Sequence, residues 1–233
     1  MHSIQNIAGY RFITLTALGD LQSTLRVLCV ERQLKGTILL SEEGININLA
    51  GREENISAFK TFLNQDARFA GMNFHVTYSD SLPFRQLKIK VKKEIITLRQ
   101  PEVSVTCGRA PSIAPETLKQ WLDEKKEITL LDTRNDFEVQ FGTFNGAINP
   151  DIDKFGELPA LLDTVPKSQP IVMFCTGGIR CEKAAIYFIN HGFSEVYQLD
   201  GGILGYFAKV GGDHYAGECF VFDERVTVNP SSF

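Results

Sequence analysis

Apolar positions in the first eighty residues fall into two rhythms. Short runs at 10–16, 36–40, 45–50 and 74–79 have strand length and composition, while 21–33 and 53–64 carry apolar residues at helical spacing. The resulting order, β-α-β-β-α-β, predicts a ferredoxin-like α+β domain with both helices on one face of an antiparallel sheet. On the first helix Leu21, Leu25, Leu28 and Cys29 form one stripe, so Cys29 reads as a small buried hydrophobe. After Pro83 the period is two: Leu87, Ile89 and Val91 alternate with Lys88, Lys90 and Lys92. As a strand this puts three ammonium groups on one face, about 6.5–7 Å apart, with Arg85 and Lys93 nearby. Such a row either meets the phosphates of a nucleic acid or guards a sheet edge against aggregation.

Pro101, Gly108, Pro111 and Pro115 interrupt the pattern, and residues 101–114 read as a linker. Beyond it a helix starting at Pro115 leads to apolar runs at 128–132, 147–148, 171–174 and 196–199, with helical stretches between them. Buried strands separated by helices predict an α/β domain over 115–215, its parallel sheet covered on both faces. Residues 1–100 then form the ferredoxin-like domain, and 216–233 a C-terminal extension.

Charge sharpens the division. The net charge of -4 conceals 13 basic and 9 acidic residues in 1–100, a balance of +4, which leaves 11 and 19 in 101–233, a balance of -8. The first domain is therefore the candidate for a polyanion. No apolar run reaches the roughly 18 residues that span a bilayer, and the opening residues lack the charged-then-apolar form of a signal peptide, so a cytoplasmic protein without membrane attachment is expected. Five scattered cysteines (Cys29, Cys107, Cys175, Cys181, Cys219) suit neither a secreted disulfide framework nor a paired Cys-X-X-Cys zinc site. No two histidines stand at metal-ligand spacing, and no metal is expected.

Chemistry concentrates where a buried strand runs into Cys175-Thr176-Gly177-Gly178-Ile179-Arg180-Cys181 and then a helix. The strand delivers Cys175 to its carboxyl end, and the glycines let the chain curl. The unpaired N–H groups and positive dipole end of the helix face back toward the sulfur. Arg180 adds a cation that does not deprotonate. Cysteines so placed ionise well below the ordinary value of about 8.5, so Cys175 is the candidate nucleophile. Cys181 is either a resolving thiol or a plain helix residue. Lys183, one turn into the helix, is either a phosphate contact or a solvated surface lysine. Asp132 reads as structural support, and Arg134 as either support or a substrate contact.

These residues resemble a rhodanese domain, whose active cysteine opens a six-residue loop ahead of a helix. Asp132-Thr133-Arg134 and Leu199-Asp200-Gly201-Gly202-Ile203 are similar to that family's Asp-X-Arg element and closing motif. The likeness extends further. Cys175 to Ala184, Glu43-Gly44-Ile45-Asn46, the lysine run after Pro83, and 217–226 with its Asp223-Glu224-Arg225-Val226 together resemble the tRNA uridine(34) hydroxylase family TrhO. That resemblance implies oxygen-dependent hydroxylation of the wobble uridine in the anticodon loop of tRNA to 5-hydroxyuridine, with Cys175 as the reactive residue. It also implies molecular oxygen as co-substrate and an unidentified electron donor. Longer members continue into a cysteine-rich tail, whereas the sequence here ends at Phe233, and a tail metal is not expected. Two rival functions use the same residues: sulfur transfer through a Cys175 persulfide, and RNA binding without catalysis. A cysteine phosphatase, which also uses an anion loop, is the weaker fit.

Overall fold

The computed structural model describes residues 4–105 and 108–233, so Cys107 lies outside the described residues. The chain divides into two compact units, one ending at Ile95 and joined by Asp223–Arg225, the other made of Ile96–Phe222 and Val226–Phe233.

The first unit follows the predicted order, with its first strand starting six residues before the expected 10–16: β1 (Ile4–Phe12), α1 (Leu18–Glu31), β2 (Lys35–Ser41), β3 (Gly44–Arg52), α2 (Glu53–Gln65), β4 (His75–Ser79) and β5 (Leu87–Val91). The strands form one sheet in the order β4-β1-β3-β2-β5, antiparallel except that β5 runs parallel to β2. Leu21, Leu25 and Cys29 of α1 and Ile56, Phe59 and Leu63 of α2 are buried against Ile38, Leu40, Ile45, Ile47 and Leu49 of the sheet. Burial pushes the Cys29 thiol up to about 12, as befits an inert core residue. On β5 only Ile89 is buried, with Lys88 and Lys90 exposed on the other face beside Thr37 and Leu39 of β2. Since β5 is an outermost strand, its lysines sit where an edge needs charge.

The second unit contains β6 (Ser112–Ile113), α3 (Pro115–Asp123), β7 (Thr129–Asp132), α4 (Asp136–Val139), β8 (Gly142–Phe144), β9 (Ile171–Phe174), α5 (Ile179–Asn190), β10 (Val196–Leu199), α6 (Gly202–Val210), β11 (Tyr215–Gly217), β12 (Cys219–Phe220) and β13 (Thr227–Val228). Its central sheet is parallel throughout, in the order β6-β10-β9-β7. Alternation along β9 sends Ile171 and Met173 into one core with Ala184, Ala185 and Phe188 of α5. Val172 and Phe174 enter another with Ile203, Tyr206 and Phe207 of α6.

Three expectations are corrected. The described residues of 101–114 are not a linker: Val103 and Ala110 enter the core of the second unit and Ser112–Ile113 is its edge strand. The prolines and glycine mark turns there, but the apolar residues between them are spent on burial. Residues 216–233 are no appendage either, because β11 pairs with β8 and Cys219, Val221 and Val228 are core residues. The run at 147–148 shrinks to one bridge between Leu131 and Ile148.

Candidate active site

Parity along β9 decides where the candidate nucleophile lies. Cys175, one residue past the strand, continues the Ile171–Met173 side and so enters the α5 side of the sheet, where it is buried. Gly178 caps α5 in the left-handed region at φ 97, a conformation that favours glycine, and its N–H donates to Cys175 Sγ at 3.1 Å. The closing motif holds the loop from behind. Ile203 N–H donates to the Cys175 carbonyl at 2.9 Å and Leu204 N–H to the Thr176 carbonyl at 3.0 Å. The first turn of α6 thus takes up the loop's carbonyls and leaves its N–H groups for the sulfur. Thr176 is half-buried, and its hydroxyl donates to the Phe220 carbonyl at 3.5 Å.

Burial alone would push the Cys175 thiol up. The hydrogen bond from Cys181, the charge of Arg180 and the N–H groups of Arg180 and Gly178 outweigh it and bring the thiol down from 9.0 to about 6. Cys181 moves the opposite way: burial and the neighbouring Cys175 hold it protonated, so it donates to the Cys175 thiolate. Its sulfur lies 3.6 Å from Thr133 Oγ1. Cys181 is therefore a partner of Cys175 and not merely a helix residue.

Arg180 has a partner that sequence reasoning missed. Its guanidinium donates to both carboxylate oxygens of Glu138, at 2.9 and 2.7 Å, in a buried pair between α5 and α4. Burial disfavours its charge, and the Glu138 carboxylate, with smaller contributions from Cys175 and Asp132, more than offsets this. The clamp fixes the cation beside the loop, since a bidentate pair sets direction as well as distance. Nothing in the spacing of Glu138, 42 residues from Arg180, marks it as that partner.

Two candidate substrate contacts turn out to be internal. Arg134 is fully buried. It donates through Nε and Nη2 to Asp132, at 2.9 and 2.6 Å, and through Nη2 to the Gly142 carbonyl at 2.6 Å. Asp132 in turn accepts from Thr143 Oγ1 at 2.8 Å. The Asp-X-Arg element thus ties β7 to the β8 turn, and a substrate does not reach Arg134. Lys183 is neither a solvated lysine nor a phosphate contact: it is buried and donates to the Ile96 carbonyl at 3.0 Å. Its neighbour Glu182, also missed, accepts from Arg109 at 2.9 Å and from Gln198 at 3.2 Å.

In the first unit Lys88, Lys90, Lys92 and Lys93 are all exposed. Arg85 differs from them, because Glu224 accepts its Nε–H. Among the described residues no group of three or more His, Cys, Asp and Glu side chains is placed to hold a metal.

Comparison with known proteins finds two domains along the chain. The UPF0176 acylphosphatase like domain matches residues 4–95 and the rhodanese-like domain matches 114–209. A tRNA uridine(34) hydroxylase from Cupriavidus pinatubonensis is 47% identical over 98% of this chain and 84% of its own length. One from Ralstonia nicotianae is 50% identical over 97% and 83%. This chain belongs to that family. A rhodanese-like domain from Anabaena sp., solved by NMR, covers 46% of this chain and 80% of its own with 24% identity and a TM-score of 0.40. Among the described cysteines of the second unit, Cys175 is the one whose titration is drawn down, by the loop Cys175–Arg180 that α6 backs and Glu138 clamps. No helix of the described residues is long and apolar enough to cross a membrane.

Proposed function

We propose that this chain hydroxylates the wobble uridine of tRNA at C5, with Cys175 as covalent catalyst. The observation that carries the reading is the Cys175 sulfur placed at the Gly178 N–H beside the clamped Arg180, surroundings that favour its thiolate, in a chain of this family. C5 of uracil reacts poorly with oxygen until a nucleophile adds at C6 and pushes electron density to C5. The Cys175 thiolate supplies that addition. C5 then takes one atom of molecular oxygen, and loss of the C5 proton with departure of sulfur from C6 restores the aromatic base. The second oxygen atom leaves as water and requires two electrons and two protons from a donor. Cys181, protonated and hydrogen-bonded to Cys175, stabilises the sulfur whenever it is an anion, before addition and after release.

The substrate is read as the anticodon loop, where the wobble base sits in a single strand and leaves its stack at low cost. The exposed Lys88, Lys90, Lys92 and Lys93 of the positive first unit supply phosphate contacts. The cytoplasm, where tRNA resides, is the matching location.

The test is made in cells lacking the endogenous activity, complemented with this chain or with Cys175→Ser. Nucleosides from their tRNA are separated and weighed. Appearance of 5-hydroxyuridine only with the intact cysteine is expected; equal amounts with the serine variant would end the covalent mechanism. The six-residue rhodanese-type loop favours one second reading, sulfur transfer through a Cys175 persulfide. Thiosulfate:cyanide turnover lost in Cys175→Ser, with no hydroxylation, would select it.

A further inference from the structure

The candidate site for RNA lies in the net negative part of the chain, with 19 acidic against 11 basic residues from 101 to 233. Phosphate contacts are a poor way to hold RNA there. The side chains around the cysteine loop offer another. Phe137 of α4, Phe141 just after it, Phe220 of β12 and Phe222 form one aromatic cluster. The Phe220 ring stands 5.2 Å from Phe137, 5.4 Å from Phe141 and 5.1 Å from Phe222, centroid to centroid. Phe137, Phe141 and Phe222 are 44%, 41% and 58% exposed, which leaves three large apolar rings turned to solvent side by side.

The cluster is fastened to the loop at three points. Glu138, flanked by Phe137 in the chain, clamps Arg180; the Phe220 carbonyl accepts from Thr176; and the Phe222 ring lies 5.8 Å from the Arg180 guanidinium. Structural needs do not explain this exposure, since the same rings turned inward would add to the core. Exposed aromatic faces beside a nucleophile suit unpaired bases, which stack on any π-face without regard to charge.

We propose that Phe137, Phe141 and Phe222 form a stacking platform for the unpaired bases next to the modified uridine, so that the second unit grips RNA through bases and the first through phosphates. The assignment rests on the wobble-uridine reading above and adds the surface that positions the strand over Cys175. The choice of single-stranded RNA over a second copy of the chain follows from that continuity with the loop.

The test uses the full chain and a synthetic anticodon stem-loop carrying 2-aminopurine beside the wobble uridine. Binding is followed in the Cys175→Ser background, where no covalent adduct forms. The platform predicts quenching of 2-aminopurine on binding. Phe222→Ala and Phe137→Ala should each weaken binding from about fivefold to a hundredfold with loss of the quench, and Phe222→Trp should restore both. The slope of log Kd against log salt should stay as in the parent, because no phosphate contact is lost. Both rings are about half exposed, so the alanine variants should stay folded with small losses in thermal melts, which separate lost stacking from lost folding. Alanine variants that bind within twofold of the parent, with the quench intact, would overturn the proposal. So would variants of this aromatic rim of Phe137, Phe141 and Phe222 that turn a dimer into a monomer in sedimentation while RNA affinity holds, since the rim would then be a self-interface. A cysteine-intact protein that makes 5-hydroxyuridine while its rim variants bind normally refutes the platform alone. A parent that binds and quenches the stem-loop without making 5-hydroxyuridine refutes the hydroxylase reading alone, and one that does not bind refutes both.

Discussion

Gly202 tests whether the backing of the cysteine loop shapes its chemistry. Its φ is +61, and a Cβ built on it would lie 2.4 Å from the Cys175 carbonyl oxygen, 2.8 Å from Gly178 N and 2.8 Å from the Thr176 carbonyl oxygen. All three neighbours are backbone atoms, so Gly202→Ala cannot be absorbed by a side-chain rotation. The left-handed conformation costs an alanine about 1–2 kcal/mol. Pushing the loop off α6 also strains or breaks the Ile203 and Leu204 hydrogen bonds, at about 0.5–1.5 kcal/mol each, so the total is about 2–5 kcal/mol. Gly146→Ala is the control: it lies in the same unit at φ +77 with no atom within 4 Å of the added Cβ, and carries the conformational term alone.

Urea unfolding followed by Trp121, the single tryptophan of the chain and a residue of α3, reports on this unit. Gly202→Ala should unfold at clearly lower urea than Gly146→Ala. Because the displaced loop draws Gly178 N–H away from the sulfur, the thiolate titration of Cys175 should also move up from about 6 toward the ordinary thiol range. Equal losses of stability in the two variants, with an unchanged titration in Gly202→Ala, would refute the view that α6 holds the loop in its anion-binding shape.

Three further outcomes follow from the same geometry. A folded-state titration at about 6 means that Cys175 is an anion above that pH and a thiol below it. Ultraviolet thiolate absorbance should therefore rise with a midpoint near 6, and Cys175→Ser should remove that step; a midpoint above 8 contradicts the cradle. Glu138→Ala leaves the Arg180 charge buried without its carboxylate and should cost about 3–5 kcal/mol in denaturant unfolding, with Glu138→Gln losing less because its amide oxygen still accepts; a loss below 1 kcal/mol in the alanine variant would make the clamp dispensable. Replacing Lys88, Lys90 and Lys92 by alanine should flatten the salt dependence of tRNA binding by about 0.7–0.9 log units per lost contact, and an unchanged slope would leave those lysines to edge protection alone.

Backbone pattern was legible wherever one face of an element is buried and the other wet. The stripe Leu21, Leu25, Cys29 and the alternation around Ile89 announced α1 and β5, and the apolar run of β9 announced a buried strand with Cys175 at its carboxyl end. Composition misled where polar punctuation and apolar content disagree, as at 101–114, whose prolines suggested a tether while Val103, Ala110 and Ile113 were already committed to a core.

Charged residues on α5 were misread for a different reason. With core on both faces of the sheet, α5 is packed nearly all round, and Arg180, Glu182 and Lys183 are buried along with its alanines and aromatics. A charge enclosed in this way survives only with a partner, and each partner is remote in sequence: Glu138 for Arg180, Arg109 and Gln198 for Glu182, the Ile96 carbonyl for Lys183. Residue type alone would place such side chains in solvent. Yet the enclosure that defeats that inference also makes the site work. In water Arg180 would be a screened, mobile cation of little use to a sulfur, whereas Glu138 holds it buried beside the loop, where its charge helps to lower the Cys175 titration.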